Sequence, residues 1–92
     1  MDIDKLEREI EATIPPLKGA TSYRFHILKF EYPRLSAYPD YELRLTVTIN
    51  GKWKDWIGHT ITGKEGFEER IREAAKELIE YVVKELNDGG QQ

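Results

Sequence analysis

The chain of 92 residues contains no cysteine. It therefore has no disulfide bond, no thiolate ligand for zinc and no cysteine nucleophile. Histidine is nearly as scarce, since only His26 and His59 are present. The motifs of zinc proteases, phosphate-binding loops, dinucleotide-binding loops and serine hydrolases are also missing. These absences predict a protein that is not an enzyme and that holds neither a cofactor nor a metal ion.

The remaining titratable residues are poorly spaced for catalysis. Asp55 and His59 would lie on one side of a strand but about 13 Å apart, which is too far to share a proton or a metal ion. The glutamates near the C-terminus alternate with Arg70, Arg72 and Lys76, a pattern typical of the solvated face of a helix. We expect surface or structural roles for all of them.

Long hydrophobic runs are absent too. No apolar run approaches the roughly 20 residues that a membrane-spanning helix needs, and the first ten residues are too acidic and polar for a signal peptide. We therefore expect a cytoplasmic protein without a membrane partner. The hydrophobic fraction of 39% falls into periodic segments, which predicts one globular domain over residues 1–88 and a flexible tail over 89–92.

The strongest fold signal is a predicted β-hairpin from Tyr41 to Ile61, with its turn at Asn50-Gly51. The first arm has an apolar residue at every second position, which is the pattern of a half-buried strand. Those residues are Tyr41, Leu43, Leu45, Val47 and Ile49.

Two registers are possible for this hairpin. A two-residue turn would place Lys52, Lys54 and Trp56 on the covered face of the sheet, whereas a three-residue loop would place Val47 opposite Trp53 and Leu43 opposite Ile57. Burying two lysines is costly. The sequence therefore favours the three-residue loop, with the third strand at an edge of the sheet.

The preceding segment, Ser22 to Tyr32, is predicted to be a strand because it is rich in aromatic and branched residues. Its apolar residues change from odd to even positions between Ile27 and Leu28. A β-bulge there would keep all of them on one face, and we favour it because exposed apolar clusters are unfavourable. Without the bulge, Leu28, Phe30 and Tyr32 would lie on the opposite, open face.

Helical periodicity predicts two helices, from Asp2 to Thr13 and from Glu65 to Asn87. Asp2 or Asp4 can cap the first helix, and Pro15-Pro16 must end it. Thr62 and Glu65 have the spacing of a capping box for the second helix. The apolar stripe of the second helix broadens toward its end, where we expect packing on the first helix; a dimer contact is the alternative, so the chain is a monomer or a weak homodimer.

The predicted fold is a two-layer α+β domain of order α-β-β-β-α, with a three-stranded antiparallel sheet and both helices on one face. This order, with an Asn-Gly-Lys turn in the second hairpin, resembles the layout of double-stranded RNA-binding domains. In that family the start of the last helix is rich in lysine and contacts phosphates. The matching positions here, 63–69, contain one lysine and three glutamates. The resemblance implies nucleic-acid binding as an alternative function.

Charge is unevenly distributed along the chain. Residues 18–64 carry eight bases and four acids, whereas the helical segments 1–17 and 65–92 are both acidic. We therefore expect the open face of the sheet to be basic and to contain the binding residues. They are Arg24, His26, Arg44, Lys52, Lys54 and Trp56.

Three functional hypotheses follow from this surface. The first is a non-catalytic protein-binding module, of the inhibitor or adaptor type, that presents the open face or the edge strand to a protein with an acidic surface. The second is a nucleic-acid binder that uses the same residues. The third is a designed or orphan domain without a partner. The overall acidity of the chain favours the first hypothesis over the second.

Overall fold

The computed structural model describes residues 2–35 and 37–88. Three strands form one antiparallel sheet in the order β1-β2-β3, and both helices pack on the same face of it, which confirms the predicted α+β fold. The predicted tail, residues 89–92, lies outside the described residues. In chain order the elements are α1 (Ile3–Glu11), β1 (Ala20–Phe30), β2 (Asp40–Ile49), β3 (Lys52–Thr62) and α2 (Phe67–Asn87).

Helix α1 begins as its sequence predicts. The side chain of Asp2 accepts a hydrogen bond from the backbone amide of Lys5 at 3.1 Å, which identifies Asp2 as the N-cap. The helix ends at Glu11, two residues before the predicted end. Leu6 and Ile10 form its buried stripe. This stripe fixes which side of α1 faces the sheet.

Helix α2 begins at Phe67 without a side-chain cap, because its N-cap is Gly66 with φ 81°. The predicted capping box of Thr62 and Glu65 is therefore wrong. Thr62 is the last residue of β3, so its side chain does not reach the helix terminus. Instead, the guanidinium of Arg70 donates to the carbonyls of Glu65 and Thr62 at 3.0 and 3.1 Å and stabilises the connection from the helix side.

The hydrophobic core lies between the helices and the covered face of the sheet. Alternate residues of β2 are completely buried there, as the period of two in the sequence predicts. The buried residues are Leu6, Ile10, Ile14, Leu17, Phe25, Ile27, Tyr41, Leu43, Leu45, Val47, Trp56, Ile71, Ala74, Ala75, Leu78, Ile79 and Val82.

The hairpin between β2 and β3 has the two-residue turn, so the predicted register is wrong. Val47 pairs with Lys54 rather than with Trp53. Asn50 and Gly51 have φ of 54° and 77°, and positive φ at both central residues is what a type I′ turn requires. The lysines are tolerated because they lie near the end of the hairpin, where they remain exposed, and Lys54 keeps its amine in water while its stem lies along the sheet.

This turn gives a testable prediction for Gly51. An added Cβ would meet no atom within 4 Å, so the cost of Gly51→Ala is conformational only. A left-handed backbone costs an L-residue about 1–2 kcal/mol, and we expect the free energy of unfolding to fall by about 1 kcal/mol in a urea titration. Asn50→Gly is the control, because it keeps the turn geometry. An unchanged stability of Gly51→Ala would argue against the two-residue turn.

Strand β1 pairs with β2 without interruption from Ser22 to Phe30. The predicted bulge near Ile27 and Leu28 is therefore wrong, and the only irregularity of this pairing lies between Ala20 and Ser22. The strand keeps its regular pairing because Phe25 and Ile27 already fill the core positions. Leu28 and Phe30 consequently project to the open face, and Phe30 is 42% exposed.

Candidate functional site

The face of the sheet that the helices leave uncovered is called the open face here. Its members follow from the register, because residues directly opposite one another project to the same side. They are Ser22, Arg24, His26, Leu28 and Phe30 of β1, Asp40, Glu42, Arg44, Thr46 and Thr48 of β2, and Trp53, Asp55, Ile57, Thr60 and Thr62 of β3.

The six binding residues predicted from the sequence do not share one face. Arg24, His26 and Arg44 lie on the open face, in neighbouring rows of β1 and β2. Lys52, Lys54 and Trp56 project to the opposite side, since their partners Ile49, Val47 and Leu45 belong to the covered face. Their placement on the open face is corrected for the same reason as the register: the turn has two residues rather than three.

Trp56 is a structural residue that joins β3 to α2. Only 8% of its surface is exposed, and its indole Nε1 donates to Glu85 Oε2 at 2.6 Å. The amine of Lys54 lies 3.5 Å from Glu85 Oε1 and 4.9 Å from the centre of the Trp56 ring. Lys54 and Trp56 thus contact the same carboxylate of α2, that of Glu85. Neither side chain lies on the open face.

The open face instead presents Trp53 and Ile57, which are 77% and 58% exposed. Trp53 pairs with Thr48 and Ile57 with Arg44. The two side chains are four residues apart on one side of the same strand, a separation of about 13 Å. The sequence did contain a signal for them, because the rejected two-residue turn places both on the uncovered face.

Most charged side chains of the open face form an ion pair or accept a hydrogen bond within it. Arg44 Nη2 lies 3.2 Å from Glu42 Oε2, and Thr46 donates to Asp55 Oδ1 at 2.6 Å. Arg24 is exposed and has no ion-pair partner among the described residues. The face carries Arg24 and Arg44 against three acids, so among the described residues the expected basic surface is reduced to the guanidinium of Arg24.

Arg44 lies at the centre of the open face, between His26 and Ile57. Its Nε is buried and has no acceptor among the described residues. A buried donor without an acceptor costs about 1–3 kcal/mol. The unpaired Nε of Arg44 therefore lowers the stability of the isolated chain.

The two edges of the sheet differ. On β1, the backbone amide of Phe25 donates to Glu11 Oε1 at 2.9 Å, and that of Ile27 donates to Glu7 Oε2 at 2.8 Å. Both glutamates belong to α1 and lie one helical turn apart. Between Trp53 and His59, the edge of β3 has no such hydrogen bond to any described side chain. Helix α1 therefore closes one edge, and the other remains available.

Two grooves flank α2. The larger, of about 630 Å³, separates α2 from α1, and Arg72 bridges it with an ion pair to Glu9 at 3.1 Å. Ile79 is buried and Val83 half-buried along it. The smaller, of about 390 Å³, lies between α2 and β3 on the side of the available edge. Its lining residues are Trp56, Ile57, Gly58, His59, Ala74, Glu77, Leu78 and Tyr81.

Potential metal ligands are scattered over the described part of the chain. No group of three or more potential ligands comes together within residues 2–35 and 37–88.

A hydrogen bond from Lys29 to Glu31, with the charge of that carboxylate, raises the pKa of the Lys29 amine. A raised pKa keeps this amine protonated, so it is a poor general base. Neither helix of the described chain has the length and hydrophobicity that a membrane-spanning segment requires.

The fold and the site define a two-layer α+β domain with an uncovered sheet face and one available strand edge. Comparison of the chain with models of protein families, with curated proteins and with solved structures gives no match.

Proposed function

We propose that the protein is a small non-catalytic protein-binding module and that its partner contacts the open face along β3. The observation that carries this proposal is the exposure of Trp53, 77% of whose surface is in contact with water. An exposed indole can contribute a large favourable free energy to binding, because its burial under a partner removes a large apolar area from water. Tryptophan and arginine are also enriched among the residues that dominate binding energy.

The side chains of the open face indicate what kind of partner surface would complement them. Trp53 and Ile57 require an apolar surface with two contact points about 13 Å apart. Arg24, which has no ion-pair partner in the described chain, requires an acidic group opposite it. The partner is therefore a protein with an apolar patch and at least one carboxylate beside it, which retains the expected acidic partner in a narrower form.

Nucleic-acid binding is less well supported than protein binding. Lys52 and Lys54 lie off the open face, and the amine of Lys54 is paired with Glu85. The start of α2 carries Glu68 and Glu69, which would repel phosphates. Trp53 could stack on a base, but a single guanidinium without an ion pair among the described residues of this face is a weak basis for an interface that depends on phosphate contacts.

The proposal predicts that Trp53→Ala weakens partner binding about thirtyfold, which corresponds to the loss of about 2 kcal/mol at an interface hot spot. A binding protein is first captured from cell extract on the immobilised chain and then purified, and its Kd for each variant is measured by calorimetry. Leu35→Ala is the matched control, because Leu35 is an exposed apolar residue outside the open face. Its Kd should equal that of the wild type.

Two results would contradict the proposal. One is an equal Kd for the wild type and Trp53→Ala. The other comes from titrating the chain into a labelled oligonucleotide of mixed sequence at low and moderate salt. Tight binding with a steep loss of affinity as salt rises would assign the open face to nucleic acid.

A further inference from the structure

The free edge of β3 offers backbone groups for a further strand. In a hairpin with a two-residue turn, Ile49 and Lys52 face each other as a hydrogen-bonded pair, and hydrogen-bonded pairs then alternate along the ladder. The amides of Trp53, Asp55 and Ile57 consequently point away from β2. These are the three β3 positions of the open face that precede the irregularity near Gly58.

The groove between β3 and α2 runs beside this edge. A strand added to β3 would direct alternate side chains to the two faces of the sheet. One set would enter the groove of about 390 Å³, which is lined by Trp56, Ala74, Leu78 and Tyr81. The other set would lie next to the exposed side chains of Trp53 and Ile57. An edge that is free beside a groove is the arrangement used when an extended peptide completes a sheet.

We propose that an extended segment of a partner protein binds to the edge of β3 as a fourth strand. The segment places an apolar side chain in the groove and a basic residue close to Glu77, which is the only acidic residue among the described ones that line the groove. Glu77 is exposed and has no ion-pair partner among the described residues. This inference rests on the proposed protein-binding function and specifies how the partner engages β3.

A second copy of the chain fits this edge less well than a peptide does. Two β3 strands paired around a two-fold axis would place the grooves of both copies, each with its own Glu77, along one seam without a lysine or an arginine among the described residues of either groove to face them. Each copy would also carry its own α2 to the seam, since α2 packs on β3. A peptide brings no helix, and its basic residue complements Glu77.

The experiment uses a displayed library of random linear twelve-residue peptides, selected on the wild-type chain. Synthetic copies of the selected peptides are then methylated at one backbone nitrogen at a time, which removes a single donor. We expect methylation at alternate positions to raise Kd at least tenfold and methylation at the intervening positions to have little effect. Amide exchange at Trp53, Asp55 and Ile57 should slow when a peptide is bound.

A charge reversal on α2 tests the groove. Glu77→Lys should raise the Kd of the selected peptides about threefold to tenfold. Glu80→Lys is the matched control on the same helix, because Glu80 lines the other groove, and it should leave Kd unchanged. Each selected peptide should carry a lysine or an arginine two residues from an apolar residue, because side chains at alternate positions of a strand project to the same face.

Several outcomes would overturn strand addition. They are the absence of any selected peptide, a Kd insensitive to backbone methylation, and self-association of the chain through β3 in sedimentation experiments. If strand addition fails but a purified partner still binds the Trp53→Ala variant more weakly than the wild type, the proposed protein-binding function stands. Conversely, the peptides can show the alternating effect of methylation while the Kd of the partner is unchanged by Trp53→Ala. That result would support strand addition at β3 and reject docking on the open face.

Discussion

Replacing Trp56 by alanine should lower the free energy of unfolding by about 3–5 kcal/mol, the usual range for a large aromatic residue in a core. The indole is 8% exposed, and its Nε1 donates to Glu85 at 2.6 Å, so the variant loses both packing and a hydrogen bond to a charged acceptor. Small domains have a total stability of about 5–15 kcal/mol, so the loss is a large part of it. Urea denaturation followed by circular dichroism measures it directly.

The matched control is Trp53→Ala, three residues away on the same strand. Its side chain is 77% exposed and packs on no helix, so we expect a change within about 0.5 kcal/mol. Trp56→Phe should fall between the two, because a ring remains in the core while the indole donor is lost. Equal effects of the two alanine substitutions, or a larger effect at Trp53, would restore the three-residue loop and reverse the faces of β3.

The order of elements could be predicted from the sequence because each periodic segment has its own signal. Alternation from Tyr41 to Ile49 defines β2, and steps of three and four residues define α2. The register could not be obtained in the same way. Lys52 and Lys54 would be costly on the covered side only if the helices extended over the whole sheet face, and how far they extend depends on the tertiary structure.

The candidate site could be predicted only in part, because three of its expected residues depend on the register of the hairpin. Three of the six expected residues, Arg24, His26 and Arg44, lie on the open face, because β2 and the paired part of β1 keep the predicted phase. Trp53 and Ile57 were missed because they depend on the turn. The closing of the β1 edge by glutamates of α1 leaves no sequence pattern either, since it requires the position of a helix relative to a strand.

Glu7 and Glu11 give the second large effect expected. Replacing both by alanine leaves the outward amides of Ile27 and Phe25 without their carboxylate acceptors. Hydrogen bonds to charged groups contribute about 1.5–3 kcal/mol each. Both bonds are only partly buried, so we expect the lower end for each and a loss of about 3 kcal/mol in urea denaturation. The variant should also self-associate in light-scattering measurements, because a second edge of the sheet becomes available.

Two controls separate this role from a general effect of surface charge. Glu9→Ala removes a carboxylate of the same helix whose partner is the exposed Arg72, and exposed ion pairs contribute about 0–1 kcal/mol. Glu7→Gln with Glu11→Gln keeps an acceptor oxygen at each position and should recover part of the stability and the monomeric state. If the double alanine variant is no less stable than Glu9→Ala and stays monomeric, the carboxylates do not protect β1. The asymmetry between the two edges, which makes β3 the strand available to a partner, would then have no energetic basis.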